Sequence, residues 1–392
     1  MPEAPVGVLV RVAGSLHDTV EADELADGDS HGVLTMAQTG AHRGYEVCRD
    51  STAPLCVLHR LALRGSCRAG LCSTTPERQI LFERSGFEAI VGSVDEPAVE
   101  EWIRSHVVPT GRIETVHERP WSKVSRVPVA DGVVWFKACA TVQAFEPRLT
   151  ARLSERWTEW VTEVLAHDEE RAWLLTADAG QPLAVYGNPP ERWLEILPSY
   201  AGLQRGEASY ADDHLSHGVP DQRIATLAAR FDDLLQRDLP LESGEIRRLR
   251  AFEPSLARLC EDLDARGVPE TVQHDDLHMN NVYLGGDRLR VLDWGDASIS
   301  HPFASLVVTF RFLEERNKLA VGDPWFRRLR DAYLEGWGPG LAGTFDLAFR
   351  VGSFAHATAW ARQRDHLPAD ALGSFDTGFA IVLRRAIAQM PR

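Results

Sequence analysis

Long apolar runs are absent from this sequence. No stretch approaches the roughly 18 consecutive apolar residues that a membrane-spanning helix requires. The apolar opening "VGVLVRVAG" is short and is interrupted by Arg11, which also argues against a secretory signal peptide. We therefore predict a cytoplasmic protein without membrane contact.

Paired cysteines are absent as well. The six cysteines form no C-x-x-C motif, and the four between positions 48 and 72 are spaced more widely than the ligands of common zinc sites. Free thiols are the default for cysteines in the cytoplasm. We therefore expect free thiols, with a zinc site at the four clustered cysteines as the less favoured alternative.

Positive charge is in the minority, and the formal net charge is −15 at pH 7. Nucleic-acid-binding proteins present a basic face to phosphates, so this balance argues against a nucleic-acid partner. A cationic substrate would suit the charge, but a surplus of surface carboxylates that keeps the protein soluble explains it equally well. The sequence gives no indication of oligomeric state.

Residues 1–92 show no sustained helical or strand periodicity. A small appended domain, a disordered arm and upstream sequence from a misassigned start codon all stay open for this segment. Regular patterns begin at Ser93, where "SVDEPAVEEWIRSHV" combines a Ser cap and an acidic first turn with apolar residues at helical spacing. This pattern predicts a short amphipathic helix.

Residues 93–180 have the pattern of a small α+β lobe. Strands are predicted at 111–118, 123–129, 133–140, 161–167 and 172–177, with a helix inserted after the third strand. Residues 181–392 are mainly helical, because most of their segments repeat apolar residues with a period near 3.6. The predicted fold class is α+β, with a five-stranded small lobe and a larger helical lobe.

One segment of the helical lobe, residues 271–300, is rich in polar residues and reads "TVQHDDLHMNNVYLGGDRLRVLDWGDASIS". His274, Asp276 and Asn281 fit the pattern H-x-D-x-x-x-x-N. The runs "NVYL" and "LRVLDW", separated by "GGD", predict a hairpin that returns Asp293 to Asn281. Phosphoryl transfer needs one carboxylate that accepts the proton of the acceptor hydroxyl, and an amide oxygen and a second carboxylate that hold magnesium. The segment therefore favours phosphoryl transfer.

"HDDLHMNN" followed by "VLDW" resembles the aminoglycoside phosphotransferase (APH) family, whose loop usually reads H-G-D-L-H-x-x-N. The resemblance covers about residues 93–392 and implies a two-lobed protein-kinase-like fold that uses ATP and Mg²⁺ on a hydroxyl of a small molecule, such as an aminoglycoside or amino sugar. It implies these roles: Asp276 as catalytic base, Asn281 and Asp293 as magnesium ligands, and His274 and His278 as supports of the loop.

Two positions depart from the family pattern. Asp275 stands where the family usually has Gly, and Ser305 in "HPFASL" stands where it normally has Asp. The additional charge of Asp275 would raise the pKa of Asp276 or change metal binding. Ser305 is expected to belong to the scaffold.

Two other functions compete with a kinase. A metal-dependent hydrolase could use His274, Asp276 and His278 as ligands, because His and carboxylate side chains at this spacing can converge on one ion. That function would leave Lys137 unexplained. A nucleotide-binding pseudokinase is the second competitor, although the chain keeps the acids, the amide and the lysine that catalysis needs.

Lys137 supplies the nucleotide side of the predicted site. It ends the apolar strand "VVWFKACA", where kinases place the lysine that contacts the α- and β-phosphates. The chain has 42 basic residues but only three lysines, so a retained lysine suggests a specific role. Its ion-pair partner is expected in the next helix, at Glu146 or Glu155. Glu146 is weakly favoured, and a role for it in the first helical turn stays open.

The glycine-rich loop G-x-G-x-x-G of protein kinases is missing before this strand. "ERPWSKVSRV" takes its place, where Ser122, Lys123 and Ser125 could donate to phosphate. Adenine is expected beside the backbone from Thr176 to Asp178. The candidate contacts for the acceptor are Asp296, Asp346, His356, Trp360 and Asp365, because acidic and aromatic groups suit a polyhydroxylated or amino-bearing molecule.

Overall fold

In the computed structural model the described residues are 31–38, 41–48, 56–58, 95–286 and 288–391, with only the backbone described in the first three stretches. The chain divides into two compact units, Met1–Arg78 and Gln79–Arg392. In the first unit, three antiparallel strands form a sheet in the order β1-β2-β3: β1 His31–Gln38, β2 Ala41–Cys48 and β3 Cys56–Leu58. The interpretations proposed for residues 1–92, including the zinc alternative, fall largely outside the described residues.

The second unit begins with the small lobe, which contains the five predicted strands. Its elements are α1 Glu96–His106, β4 Glu114–Arg119, β5 Ser122–Val129, β6 Gly132–Cys139, α2 Glu146–Arg156, β7 Val164–Asp168 and β8 Trp173–Ala177. The strands form one antiparallel sheet in the order β4-β5-β6-β8-β7. Helix α1 starts later than predicted, since Asp95 rather than Ser93 occupies the position before its first residue.

Alternation along β6 orients the lysine of the predicted site. Val134, Phe136 and Ala138 are buried in a small core together with Ile103 of α1. Successive side chains of a strand point to opposite faces. Lys137 therefore lies on the face of the sheet away from α1, which is the face that meets α2.

The large lobe consists of helices around one extended apolar core. The helices are α3 Pro190–Glu207, α4 Ala211–Ser216, α5 Ile224–Leu235, α6 Ser243–Asp264, α7 Leu306–Arg316, α8 Pro324–Glu335, α9 Ala342–Arg364 and α10 Ala369–Ala388. Phe354 of α9 packs edge-on against Phe231 and stacks on Phe252, so α9 runs through the middle of the core. No helix among the described residues combines the length and apolarity that crossing a membrane demands.

Short strands hold the segment between α6 and α7 in place. They are β9 Gln181–Pro182, β10 Thr271–Gln273, β11 Val282–Gly285, β12 Arg288–Val291 and β13 Ser298–Ser300. The predicted hairpin is confirmed, with β11 and β12 antiparallel and β9 on the outer edge of β11. Strands β10 and β13 pair with each other, so the segment enters and leaves the site at the same place.

Candidate active site

The lysine of β6 contacts two carboxylates from different parts of the chain. Lys137 Nζ lies 2.6 Å from Glu146 Oε2 and 2.6 Å from Asp293 Oδ1. The alternative partner, Glu155, instead pairs with Arg152 at 2.9 Å on the surface of α2. Of the two candidates for the ion pair, the structure therefore selects Glu146.

The pKa values of the two carboxylates beside Lys137 are shifted in opposite directions. Burial raises the pKa of Glu146, and the charge of Lys137 only partly offsets this effect. Burial also opposes ionisation of Asp293, but Lys137 outweighs it and lowers the pKa of Asp293. Both acids in turn raise the pKa of Lys137 well above its usual value, against the effect of its own burial. Of the two carboxylates, Asp293 is thus the one whose ionised form its surroundings favour.

The close approach of these groups depends on Gly295, which lies in a short 3-10 turn, Trp294–Asp296. A Cβ atom at this position would lie 2.6 Å from Gln143 Cδ and 2.7 Å from Glu146 Oε2. Such distances are shorter than van der Waals contact, so a side chain would push Glu146 away from Lys137.

His274 is fully buried and both of its ring nitrogens are used inside the protein. Nε2 donates to the carbonyl oxygen of Leu292 at 2.8 Å, and Nδ1 accepts from the backbone N–H of Asp276 at 3.3 Å. Burial lowers the pKa of His274, which keeps the ring neutral. The hydrogen bonds of His274 therefore tie the loop to the end of β12.

The carboxylate of Asp276 is held by two neighbours in the loop. Asp276 Oδ2 accepts from His278 Nε2 at 3.1 Å and from Asn281 Nδ2 at 3.2 Å. The ring of His278 stacks on Phe312 with centroids 4.0 Å apart. Burial opposes ionisation of Asp276, but the contact with His278, together with the charge of Arg311, outweighs it and lowers the pKa of Asp276. An ionised, oriented carboxylate is suited to accept a proton.

The hairpin brings Asp293 back to Asn281 as predicted. The N–H of Leu292 donates to the carbonyl oxygen of Asn281 at 2.9 Å, which places the next residue, Asp293, beside the loop. Asp293 has a left-handed backbone, with φ 65°, and its side chain is 49% exposed. The carboxylate therefore faces the cleft that contains Lys137.

Asp275 explains why glycine is usual at its position. Its φ is 59°, in the left-handed region that glycine enters without strain and that Asp tolerates better than most residues. Its side chain accepts hydrogen bonds from Gln273 and Ser298, which face each other across β10 and β13. Burial raises the pKa of Asp275 to about 7. The expected rise in the pKa of Asp276 does not occur, since that pKa is lowered.

Ser305 belongs to the scaffold, as expected. It is buried, and its Oγ lies 3.1 Å from the hydroxyl of Tyr200 and donates to Gln273 Oε1 at 3.3 Å. The Tyr200 hydroxyl accepts from the backbone N–H of His274 at 2.9 Å. Helix α3 therefore supports the catalytic loop through a buried network of neutral side chains.

The hydrogen bonds argue against the hydrolytic metal centre. Both nitrogens of His274 are engaged, and those of His278 contact Asp276 and the N–H of Asn280. Nowhere in the described residues does a group of three or more His, Cys, Asp or Glu side chains form a metal-binding cluster.

A magnesium ion held between protein and phosphates needs fewer protein ligands, and the oxygens present fit it. Asn281 turns its amide hydrogens toward Asp276, which leaves its amide oxygen for a hard cation, and Asp293 adds an ionised carboxylate.

The side chains predicted to contact the nucleotide are mostly engaged within the sheet. Ser122 and Ser125 are buried in β5, and Lys123 pairs with Glu96 of α1. Thr176 is buried in β8, whereas Asp178 is exposed and accepts from Trp135 Nε1 at 2.9 Å. A contact to the nucleotide from these residues stays a prediction.

Among the candidate acceptor contacts, Asp296 interacts most directly with the proposed catalytic residues, through the charges of Asp276 and Asp293. It accepts from Gln143 Nε2 at 3.2 Å and from Gln363. Burial and the charges of Asp276 and Asp293 raise the pKa of Asp296 well above its usual value. Sequence reasoning missed both glutamines, because neither lies in a motif and each contact joins distant parts of the chain.

The other candidates have different environments. Asp346 pairs with Arg330 and Asp365 with Arg237 in exposed ion pairs. His356 is buried in α9, where burial lowers its pKa to about 3. The last candidate, Trp360, packs on an aromatic ring of α10.

Comparison with known proteins connects this geometry to a family. The family model described as "APH: Phosphotransferase enzyme family" matches residues 107–348. Comparison with curated proteins gives no match. Solved structures match at low identity, which establishes the fold alone.

Three of these structures illustrate the likeness. Choline kinase LicA from Streptococcus pneumoniae matches with a TM-score of 0.54 and 11% identity over 75% of this chain and 99% of that chain. Choline kinase from Cryptosporidium parvum Iowa II gives a TM-score of 0.54 and 10% identity over 75% and 95%. Plasmodium vivax ethanolamine kinase gives 0.52 and 10% over 74% and 87%.

The fold is thus the two-lobed, protein-kinase-like fold, as predicted. Because the family model spans more than half of the sequence, the chain belongs to the APH phosphotransferase enzyme family.

Proposed function

We propose that this protein transfers the γ-phosphoryl group of ATP to a hydroxyl of a small molecule. The observation that carries the proposal is the contact between Lys137 and Asp293, 2.6 Å long, which joins the small lobe to the end of the catalytic hairpin. A kinase needs its phosphate-binding lysine beside its metal-binding acid. The metal-dependent hydrolase considered above does not need a lysine at this position.

Asp276 acts as the base in this proposal. His278 and Asn281 fix the orientation of its carboxylate, and the lowered pKa keeps it ionised near neutral pH. The carboxylate orients the acceptor hydroxyl and takes up its proton as the new bond to phosphorus forms. His274 keeps the loop in place without touching the substrate.

Lys137, Asn281 and Asp293 bind the nucleotide side. Glu146 holds the ammonium group of Lys137 where it can contact phosphate oxygens. Magnesium, held by the Asn281 amide oxygen and the Asp293 carboxylate, would supply positive charge that neutralises the phosphates. The exposed segment at Asp178, just after β8, is the proposed place for adenine.

The test is ADP release from magnesium-ATP with a panel of sugars, aminoglycosides and amino alcohols. Asp276→Asn should lower kcat by about 10²–10⁴-fold, which is the usual contribution of a general base. Asp331→Asn is the matched control, because Asp331 forms an exposed pair with Arg330. Turnover that survives Asp276→Asn would reject the mechanism. ATP binding without turnover on any acceptor would favour a pseudokinase.

A further inference from the structure

A cavity of about 400 Å³ opens beside the proposed site. It lies between the segment that links β6 to α2 and the ends of α4 and α9. Its walls include Val142, Phe145, Arg148, His217, Arg362 and His366, and we call it the Arg362 cavity. Its volume falls in the range of small-molecule pockets, which is about 300–1,000 Å³.

The segment that forms one wall of the cavity also contacts the turn that follows Asp293. Gln143 lies in the wall segment between Val142 and Ala144, and its Nε2 donates to Asp296. Asp296 is three residues beyond the proposed metal ligand Asp293 and raises the pKa of Arg362, against the stronger effect of burial. The contact of Gln143 with Asp296, and the charge of Asp296 acting on Arg362, therefore place this side of the cavity next to the turn that follows Asp293.

Arg362 lacks a carboxylate partner within the described residues. Its Nη1 donates to the backbone carbonyl of Val142 at 3.2 Å, and its Nε has no hydrogen-bond partner among those residues. Two other arginines nearby are neutralised, since Arg148 binds both oxygens of Glu169 and Arg364, in the same turn of α9, binds both oxygens of Asp376. Partly buried guanidinium groups are favoured when they meet an anion, and their planar fork fits carboxylate and phosphate oxygens.

The two histidines of the cavity complement a hydroxylated ligand. His217 Nδ1 donates to the carbonyl of Asp213 at 2.7 Å, and His366 Nδ1 donates to the carbonyl of Arg362 at 2.9 Å. Because both Nδ1 atoms are engaged within the protein, Nε2 is the ring nitrogen of each histidine that a ligand hydroxyl could meet. The cavity thus combines one arginine without a carboxylate partner among the described residues with two imidazole rings that can hydrogen-bond to a hydroxyl.

We propose that the Arg362 cavity binds the non-reacting part of the phosphoryl acceptor, and that Arg362 holds an oxyanion of this acceptor, a carboxylate or a phosphate. This inference rests on the proposed function and assigns its substrate class as hydroxylated acids or sugar phosphates. An amino group at the same place would lie beside the unpaired charge of Arg362, so a cationic acceptor would be disfavoured.

The test compares four probes on one scaffold: glucuronate, glucose 6-phosphate, glucose and glucosamine. Binding to the full chain is measured by calorimetry without nucleotide, and turnover by ADP release with magnesium-ATP. We expect the wild type to prefer one of the two anionic probes, and which one it prefers distinguishes carboxylate from phosphate. Arg362→Gln should weaken that binding by about 10–100-fold, as expected for a charge-assisted hydrogen-bonded pair, with the neutral probe unaffected.

Two further variants make the result specific. Arg362→Lys keeps the charge but not the fork and should retain part of the affinity. Arg364→Gln, two positions along the same helix, should bind the anionic probes as the wild type does. Circular dichroism of each variant checks the fold.

No difference between wild type and Arg362→Gln toward the anionic probes, or a preference for glucosamine, would overturn the inference. Binding that depends on Arg362 without turnover of any probe would uphold the anion site and reject the proposed phosphoryl transfer.

Discussion

The catalytic loop and the Arg362 cavity use their polar groups in opposite ways. In the loop, both nitrogens of His274 and both amide hydrogens of Asn281 are bonded within the protein. In the cavity, Arg362 has only a backbone carbonyl as hydrogen-bond partner among the described residues, although its neighbour Arg148 has the carboxylate of Glu169. These two regions of the protein thus differ in how far their polar side chains find partners within it.

This difference matches two tasks, catalysis by the loop and recognition of a ligand by the cavity. A base must stay in one orientation through the reaction, so its surroundings are fixed by internal hydrogen bonds that exist before any substrate arrives. A recognition group gains most when its partner comes from the ligand, because an internal partner would have to be displaced first. Changes in the loop should therefore alter stability, whereas changes in the cavity should alter binding.

The largest expected effect concerns Asp275. Its pKa is about 7 in the folded chain against a usual value of 3.8, so folding disfavours its charged form. This group thus makes the wild type lose stability as pH rises from about 4 to about 7, and the penalty is complete above that range. Asp275→Asn removes the penalty and keeps a residue that tolerates a left-handed backbone.

We expect Asp275→Asn to be more stable than the wild type by up to a few kcal/mol at about pH 8, with a much smaller difference at about pH 5. Urea unfolding at the two pH values measures this. Asp275→Gly, which restores the usual residue of the family but loses the bonds to Gln273 and Ser298, is the companion variant. A difference that does not depend on pH would show that Asp275 is not buried as described.

A smaller effect is expected at Tyr200, which supports the loop from α3. Tyr200→Phe removes the acceptor of the His274 N–H, and an unsatisfied buried donor costs about 1–3 kcal/mol. We expect a lower free energy of unfolding and a reduced kcat with little change in KM. The exposed Tyr186→Phe serves as control. Unchanged stability in Tyr200→Phe would mean that the loop does not depend on this bond.

The smallest effect is expected in the cavity, at Glu169. Its pairing with Arg148 is partly exposed, so Glu169→Gln should change stability by less than about 1 kcal/mol. The substitution frees a second guanidinium at the wall of the cavity. Affinity for the preferred anionic probe of the calorimetric assay should rise while stability stays nearly constant. A loss of stability larger than that in Tyr200→Phe would contradict the separation of tasks between the two regions.

Local sequence patterns were enough to predict most of the fold and part of the candidate site. The five strands of the small lobe, the hairpin and the loop from His274 to Asn281 are encoded by residues a few positions apart, so alternation and spacing revealed them. The partner of Lys137 was harder, because Glu146 and Glu155 both lie on the following helix. Only the packing of α2, with Glu146 buried and Glu155 exposed, separates them.

Contacts between residues far apart in the sequence could not be predicted from such local patterns. Gln143 and Asp296 are 153 positions apart, and no sequence pattern relates them. The net charge of the chain also did not indicate an anion-binding cavity. Net charge is a sum over the whole protein, whereas recognition of a ligand depends on a few groups close to it. The boundary of α1 was missed by a few residues because several residues before Glu96 could precede a helix.

The left-handed backbone at Asp275 has a consequence for how this motif is written. A signature that demands glycine after the histidine describes one residue type, whereas the backbone demands only a φ that glycine, asparagine and aspartate can each adopt. This chain, with Asp275, departs from the stricter signature although its backbone takes a φ that glycine would adopt as readily. Written in terms of backbone angle, the motif would include it.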